Sequence, residues 1–232
     1  MRRRARTQRL AGSFLIDKTF PASDPVAVDL IRLQAAYNDL SFVWEWASAH
    51  KKAPKGRLAT KVADSRLFLQ FRQLAAMIWE ALMVVEHMQK LAAFQRLEEK
   101  MDAGGRRNLK RLQRVLSGRD PLSKKFLAIT RHKATYHYDR DQFAQGLKRV
   151  LSRHGRDSQC DILSIEGSKI EEHFHFELPD QIRAEIVVGV TGVDVNELLH
   201  NLLDLSKAFG TFVERLCVAY CKDRGLEMDF RW

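Results

Sequence analysis

From Pro25 toward Ala49, apolar side chains recur at alternating steps of three and four, as Leu30, Leu33, Tyr37, Leu40, Trp44 and Ala47. That spacing lines one face of an α-helix. Asp24-Pro25 supplies its start, an N-cap residue followed by proline at the first helical position, where a missing N–H is harmless. "HKKAPKG" supplies its end. The rhythm returns in Leu67, Phe71, Leu74, Ile78, Ala81, Val85, Met88 and Ala92, and predicts a long helix over 62–100. This is either a bundle helix or a short coiled-coil seam. "DAGGRRN" breaks the chain, and a short basic helix, "LKRLQRVLSG", follows. A fourth helix opens near Ser123 and runs toward Arg153. The last begins at Asp194, with Glu197 as its reciprocal cap. Its stripe is Val195, Leu198, Leu202, Leu205, Phe209, Phe212, Leu216 and Ala219, and Gly225 is a natural stop.

One stretch has a different period. "DILSIEGSKIEEHFHFEL" alternates apolar and polar positions on both sides of a Gly-Ser turn, as a β-hairpin does. His173 and His175 share one strand face there, but no third ligand stands near them, so no metal is expected. The expected fold is mainly all-α: an up-and-down bundle of four to five helices with a small hairpin insertion before the last helix. Residues 1–22 read as a basic N-terminal arm and 23–232 as a single helical domain, with 157–190 as the hairpin or irregular insertion.

Composition narrows the partners. The chain has 232 residues and is 45% hydrophobic, so it can bury a real core, and its 12 glycines and 5 prolines suit helices. A net charge of +10 attracts polyanions and points to nucleic acid. Cys160, Cys217 and Cys221 have neither zinc spacing nor the form of a disulfide framework, which fits a reducing compartment. "MRRRARTQR" is followed by an apolar run too short for a secretory core or a membrane span. A cytoplasmic location and no membrane partner are expected. No glycine-rich phosphate loop is present, so neither a P-loop nor a dinucleotide fold is indicated.

The chemistry concentrates in "RHKATYHYD", Arg131 to Asp139. Continuing the helical spacing from Phe126 and Ile129 gives Lys133, Tyr136, Arg140, Phe143, Leu147 and Val150, so two cations interrupt the apolar stripe. Buried unpaired charge is costly, and the interruption marks a cleft or a subunit interface. Guanidinium binds phosphate bidentately and imidazole exchanges protons near neutral pH, so arginine with histidine suits phosphoryl chemistry. On a straight helix Arg131 and His137 lie roughly 120° apart. Either the helix is distorted, or two copies meet across a two-fold axis.

With Arg131, the polar His132 and His137 after five intervening positions, this stretch resembles the signature of the HEPN superfamily. The resemblance covers the helix around 122–153 and, more loosely, the bundle. It implies a HEPN-like helical domain and a metal-independent endoribonuclease, with no cofactor, that dimerises to form a composite site. Some such proteins are toxins or defence components, paired with an antitoxin or a nucleotidyltransferase-like partner. Others are non-catalytic modules that bind a nucleotide, nucleic acid or protein. The catalytic roles fall to Arg131, holding the scissile phosphate, and His137, as general base or acid, with His132 orienting them. Tyr136, Tyr138 and Asp139 give support. RNA is the expected partner, its backbone tracked by Lys133, Arg140 and the "RRNLKRLQR" stretch, in which Arg106, Arg107, Lys110 and Arg111 are the first four cations.

Overall fold

The computed structural model describes residues 19–49, 57–120, 122–129, 140–154, 162–165, 173–176, 181–182, 184–186, 188–189 and 195–226. They are mostly helical. In chain order the helices are α1 (Pro25–Ala49), α2 (Arg57–Met88), α3 (Ala92–Lys100), α4 (Ala103–Leu116), α5 (Lys124–Ile129), α6 (Arg140–His154) and α7 (Val195–Asp223). Strands β1 (Ile162–Ile165) and β2 (His173–Phe176) pair antiparallel between α6 and α7, Ile162 opposite Phe176 and Ile165 opposite His173. No described helix is long and apolar enough to cross a membrane.

α7 is the element around which the core is built. Leu198, Leu202, Leu205, Phe209, Phe212, Leu216 and Ala219, the expected stripe after Val195, whose side chain lies outside the described residues, are all buried. They meet α1, α2, α3 and α4. Each of the leucines and phenylalanines contributes about 1.5–3 kcal/mol by leaving water. The helix ends as its sequence predicts: Gly225 has φ +68°, and the Leu226 N–H bonds back to the Cys221 carbonyl at 2.9 Å. At the other end of the chain, Asp24 caps α1 by accepting from the Val26 N–H at 2.9 Å. Thr19 and Phe20 are already buried, with Phe20 stacked on Tyr220 at 5.4 Å and the Tyr220 hydroxyl donating to the Thr19 carbonyl at 2.8 Å. Arg224 pairs with Asp24 beside them.

The α2 stripe goes into this chain's own core: Phe71, Leu74, Ile78, Ala81, Val85 and Met88 are buried with the α1 and α7 residues. It is therefore a bundle helix here. The single helix expected over 62–100 is two helices. The chain turns at Gln89, Lys90 and Leu91, and Leu91 is extended with φ −89° and ψ 123°. None of these residues is a helix breaker. The turn swings Phe94 and Leu97 onto α7, and that burial outweighs the local preference for continuing.

The break expected at "DAGGRRN" falls at its first residue, where Met101 and Asp102 are extended between α3 and α4. Asp102 accepts from the Gly105 N–H at 2.7 Å and starts α4, so both glycines lie inside the helix. Gly105 is required by packing, since a Cβ there would sit 2.8 Å from Arg215 Cβ on α7. Ser123 does open a helix, accepting from the Phe126 N–H at 3.3 Å, as its position suggested. Leu147, placed on the apolar stripe by its spacing, is exposed, whereas Val150 is buried with Ile182 and Ile186 in a small second cluster.

Polar side chains tie α1 to α7. The Tyr37 hydroxyl donates to Glu214 at 2.6 Å, Trp44 Nε1–H donates to Ser206 Oγ at 3.0 Å, and Gln34 donates to Cys217 Sγ at 3.2 Å. Burial, then the bond to Glu214, pushes the Tyr37 phenol up to about 12, and burial does the same to Tyr220. Both favour the protonated form in the fold, so stability they contribute is full below the ordinary tyrosine range and drains away as pH rises from 10 to about 12. In an alkaline absorbance titration, two of the four tyrosines are expected to ionise late or on unfolding. Tyr37→Phe should remove one of these late transitions. Four tyrosines titrating together near the ordinary value in folded protein would contradict it.

Candidate nucleic-acid interface

α4 is strongly amphipathic, and its two faces have different tasks. Gly105, Leu109, Leu112 and Val115 are buried against the rest of the core. The opposite face carries Arg106, Arg107, Lys110 and Arg114, all exposed, with Arg111 half-buried beside them. At 100° per residue these cations form one continuous band along the helix. They line an open concavity of about 1130 Å³. Glu86, at the end of α2, and Gln89, in the turn after it, form part of its wall, and Arg119 extends the basic rim beyond the turn at Gly118. Gly118 has φ +76°, a conformation costly for other residues, and it turns the chain so that Arg119 lies on the same concavity as α4.

The cations differ in how they are held. Arg106 donates to the Met101 and Glu99 carbonyls at the end of α3, the latter at 3.3 Å. Arg111 donates to the Asp204 carbonyl on α7 at 3.2 Å. Arg107, Lys110, Arg114 and Arg119 have no side-chain partner among the described residues. Several cations elsewhere are neutralised: Lys100 by Asp223, Arg215 by Asp102, Arg153 by Glu185 and Arg224 by Asp24. Glu86 is the single carboxylate among the described residues lining the concavity. The field there is positive, and groups already in place fix the helix that carries it.

The sequence located Arg106, Arg107, Lys110 and Arg111, and the structure brings all four together on the concavity. Arg114 lies at the end of the same quoted stretch. Glu86, Gln89 and Arg119 were missed. Nothing local marks them, because their placement depends on how the end of α2 and the turn after α4 meet in space.

The other candidates are not reached. Arg131, His132, Lys133, Tyr136, His137, Tyr138 and Asp139 lie outside the described residues, as do the side chains of Arg140, His173 and His175. Cys217 and Cys221 are free thiols of the α7 core, and burial pushes Cys217 up to about 11, which keeps it a thiol at neutral pH. Comparison with protein-family models, with curated proteins and with solved structures found no match to this chain.

Proposed function

We propose that this protein acts on RNA: it holds the backbone at the α4 concavity and cleaves it as an endoribonuclease of HEPN type, within a toxin or defence system. The observation that carries the RNA part is the band of unpartnered cations, Arg107, Lys110, Arg114 and Arg119, on one concavity. Neutralising phosphates with such groups releases counterions and supplies affinity without base contacts. The cleavage part rests on the Arg131, His132 and His137 spacing and on the mainly helical fold, which suits an up-and-down bundle of that type. In this reading Arg131 binds the scissile phosphate and offsets the charge that develops on it. His137 takes the proton of the attacking ribose 2′-hydroxyl or returns one to the departing 5′-oxygen. His132 orients them, Tyr136, Tyr138 and Asp139 support them, and a second copy completes the site. The products are a 2′,3′-cyclic phosphate and a 5′-hydroxyl.

The test is incubation of purified protein with RNA in EDTA, beside Arg131→Ala and His137→Ala. Cleavage that both substitutions abolish is the expected result. Cleavage that survives in both, or none with any RNA tried, would overturn the catalytic reading. A second reading, RNA binding without turnover, is favoured by the cations of the concavity, among whose described lining residues no histidine stands. Retention of RNA without products would select it.

A further inference from the structure

The residues around the α4 concavity also bear on which form of RNA it takes. Single strands are gripped by stacking their bases on aromatic rings or by splaying them into pockets that read base edges. Among the described residues lining this concavity there is no aromatic side chain. Among those residues the concavity is open and not closed over a base. Its recognition groups are guanidinium and ammonium, the chemistry of phosphate oxygens. Gln89 also lines the wall, its side-chain amide nitrogen buried and without a hydrogen-bond partner among the described residues.

The cations are also arranged as a lattice. Arg106, Lys110 and Arg114 follow one another at i, i+4 and i+8 along α4, with Arg107 and Arg111 as a parallel row one residue on. Successive members of each row are about 6 Å apart along the axis. Arg119 continues the rim past the end of the helix. α4 cannot easily bend to follow a flexible strand, because it packs so closely on α7 that a Cβ at Gly105 would clash with Arg215, and Arg111 is tied to the Asp204 carbonyl. A rigid array of charges on an open surface matches a ligand whose phosphates are themselves held in a rigid array.

We propose that the α4 concavity is a docking surface for double-helical RNA, which it recognises by its phosphate lattice and not by its bases. This rests on the RNA reading above and specifies the form of the RNA that docks on α4, the cut falling at an unpaired nucleotide beyond it. Duplex RNA exposes phosphates and 2′-hydroxyls at fixed spacing and hides its base edges, so a surface without stacking groups loses nothing by binding it. The four unpartnered cations set the number of phosphates neutralised, and the slope of log affinity against log salt is about −3.6.

The experiment uses the full chain and 2′-O-methyl RNA, which keeps the helical phosphate array but lacks the hydroxyl needed for cleavage. Binding is followed by fluorescence anisotropy, for a duplex of about 16 base pairs and a single strand with the same number of nucleotides. The duplex is expected to bind at least about tenfold tighter, and its affinity to fall roughly 100-fold between about 50 and 200 mM salt. Arg107→Ala with Lys110→Ala and Arg114→Ala should reduce the slope by about three and abolish the duplex preference. Arg107→Lys with Arg114→Lys should retain both. All these positions are exposed, so melting curves should match the parent protein. Equal or tighter binding of the single strand overturns the proposal and leaves the RNA reading standing. Duplex binding unchanged in the triple variant removes α4 from the interface, and overturns both this proposal and the placing of RNA at the α4 concavity. Tighter binding of duplex DNA than of duplex RNA overturns the assignment to RNA, and no binding of any RNA overturns both readings.

Discussion

Phe212→Ala is expected to lower stability by about 3–5 kcal/mol and the Tm by roughly 10 °C or more. Phe212 is fully buried midway along α7, the helix that meets α1, α2, α3 and α4. Removing its ring loses the transfer free energy of a large apolar group, and the hole left behind cannot collapse unless several helices shift together. No hydrogen bond or charge at this position could soften the loss. Leu151→Ala provides the contrast: that side chain on α6 is 40% exposed, and its removal should change stability by no more than about 0.5 kcal/mol. Thermal melts of both variants check the pair. A Phe212→Ala protein melting within about 2 °C of the parent would mean that α7 is not the centre of the core.

A second large effect is expected where the concavity joins that core. Gly105→Val should cost about 3 kcal/mol, toward the upper end of what overpacking costs. The added Cβ would lie 2.8 Å from Arg215 Cβ and 3.3 Å from Met101 Sδ. Arg215 Cβ is fixed to the backbone of α7 and has no rotamer by which to withdraw, so the two helices must separate. The new branch brings only a few tenths of a kcal/mol of helix propensity in return. Gly104→Ala is the matched control: it meets only the Asp102 side chain, at 3.3 Å, and should stay within about 1 kcal/mol of the parent. Because α4 carries the cations, Gly105→Val should weaken RNA binding even though no charge is removed. Unchanged melting of Gly105→Val would refute the close approach of α4 and α7.

What the sequence made legible is what short-range chemistry decides. Asp24-Pro25, Ser123 and Gly225 mark ends of helices because each satisfies or releases specific backbone groups within a few residues. The α7 stripe is legible because one face meets apolar neighbours along its length. The turn at 89–91 was hidden, since Gln89, Lys90 and Leu91 are all acceptable in a helix and only the distant surface of α7 makes turning worthwhile. Gly104 and Gly105 misled in the opposite direction. Glycine is usually a breaker, but here Asp102 caps the turn and Gly105 provides clearance for Arg215. In the interface, the cations of one helix could be read together because a period of 3.6 places them on one face. Gln89 and Arg119 could not, as they arrive from separate elements. For Arg131 and His137 the sequence remains the whole source of the catalytic proposal.

The arrangement of α7 also constrains the order in which the chain acquires its shape. α1 to α4 leave the ribosome well before residues 195–223, yet each packs against that helix. Thr19 and Phe20 likewise find Tyr220 across some two hundred residues of chain. During translation the earlier helices therefore expose apolar faces for the time needed to make the residues between them and α7, roughly 4–40 s at ordinary elongation rates. A nascent chain stopped before α7 is expected to bind chaperones through those faces, and the positive face of α4 is set in place only once α7 has been made.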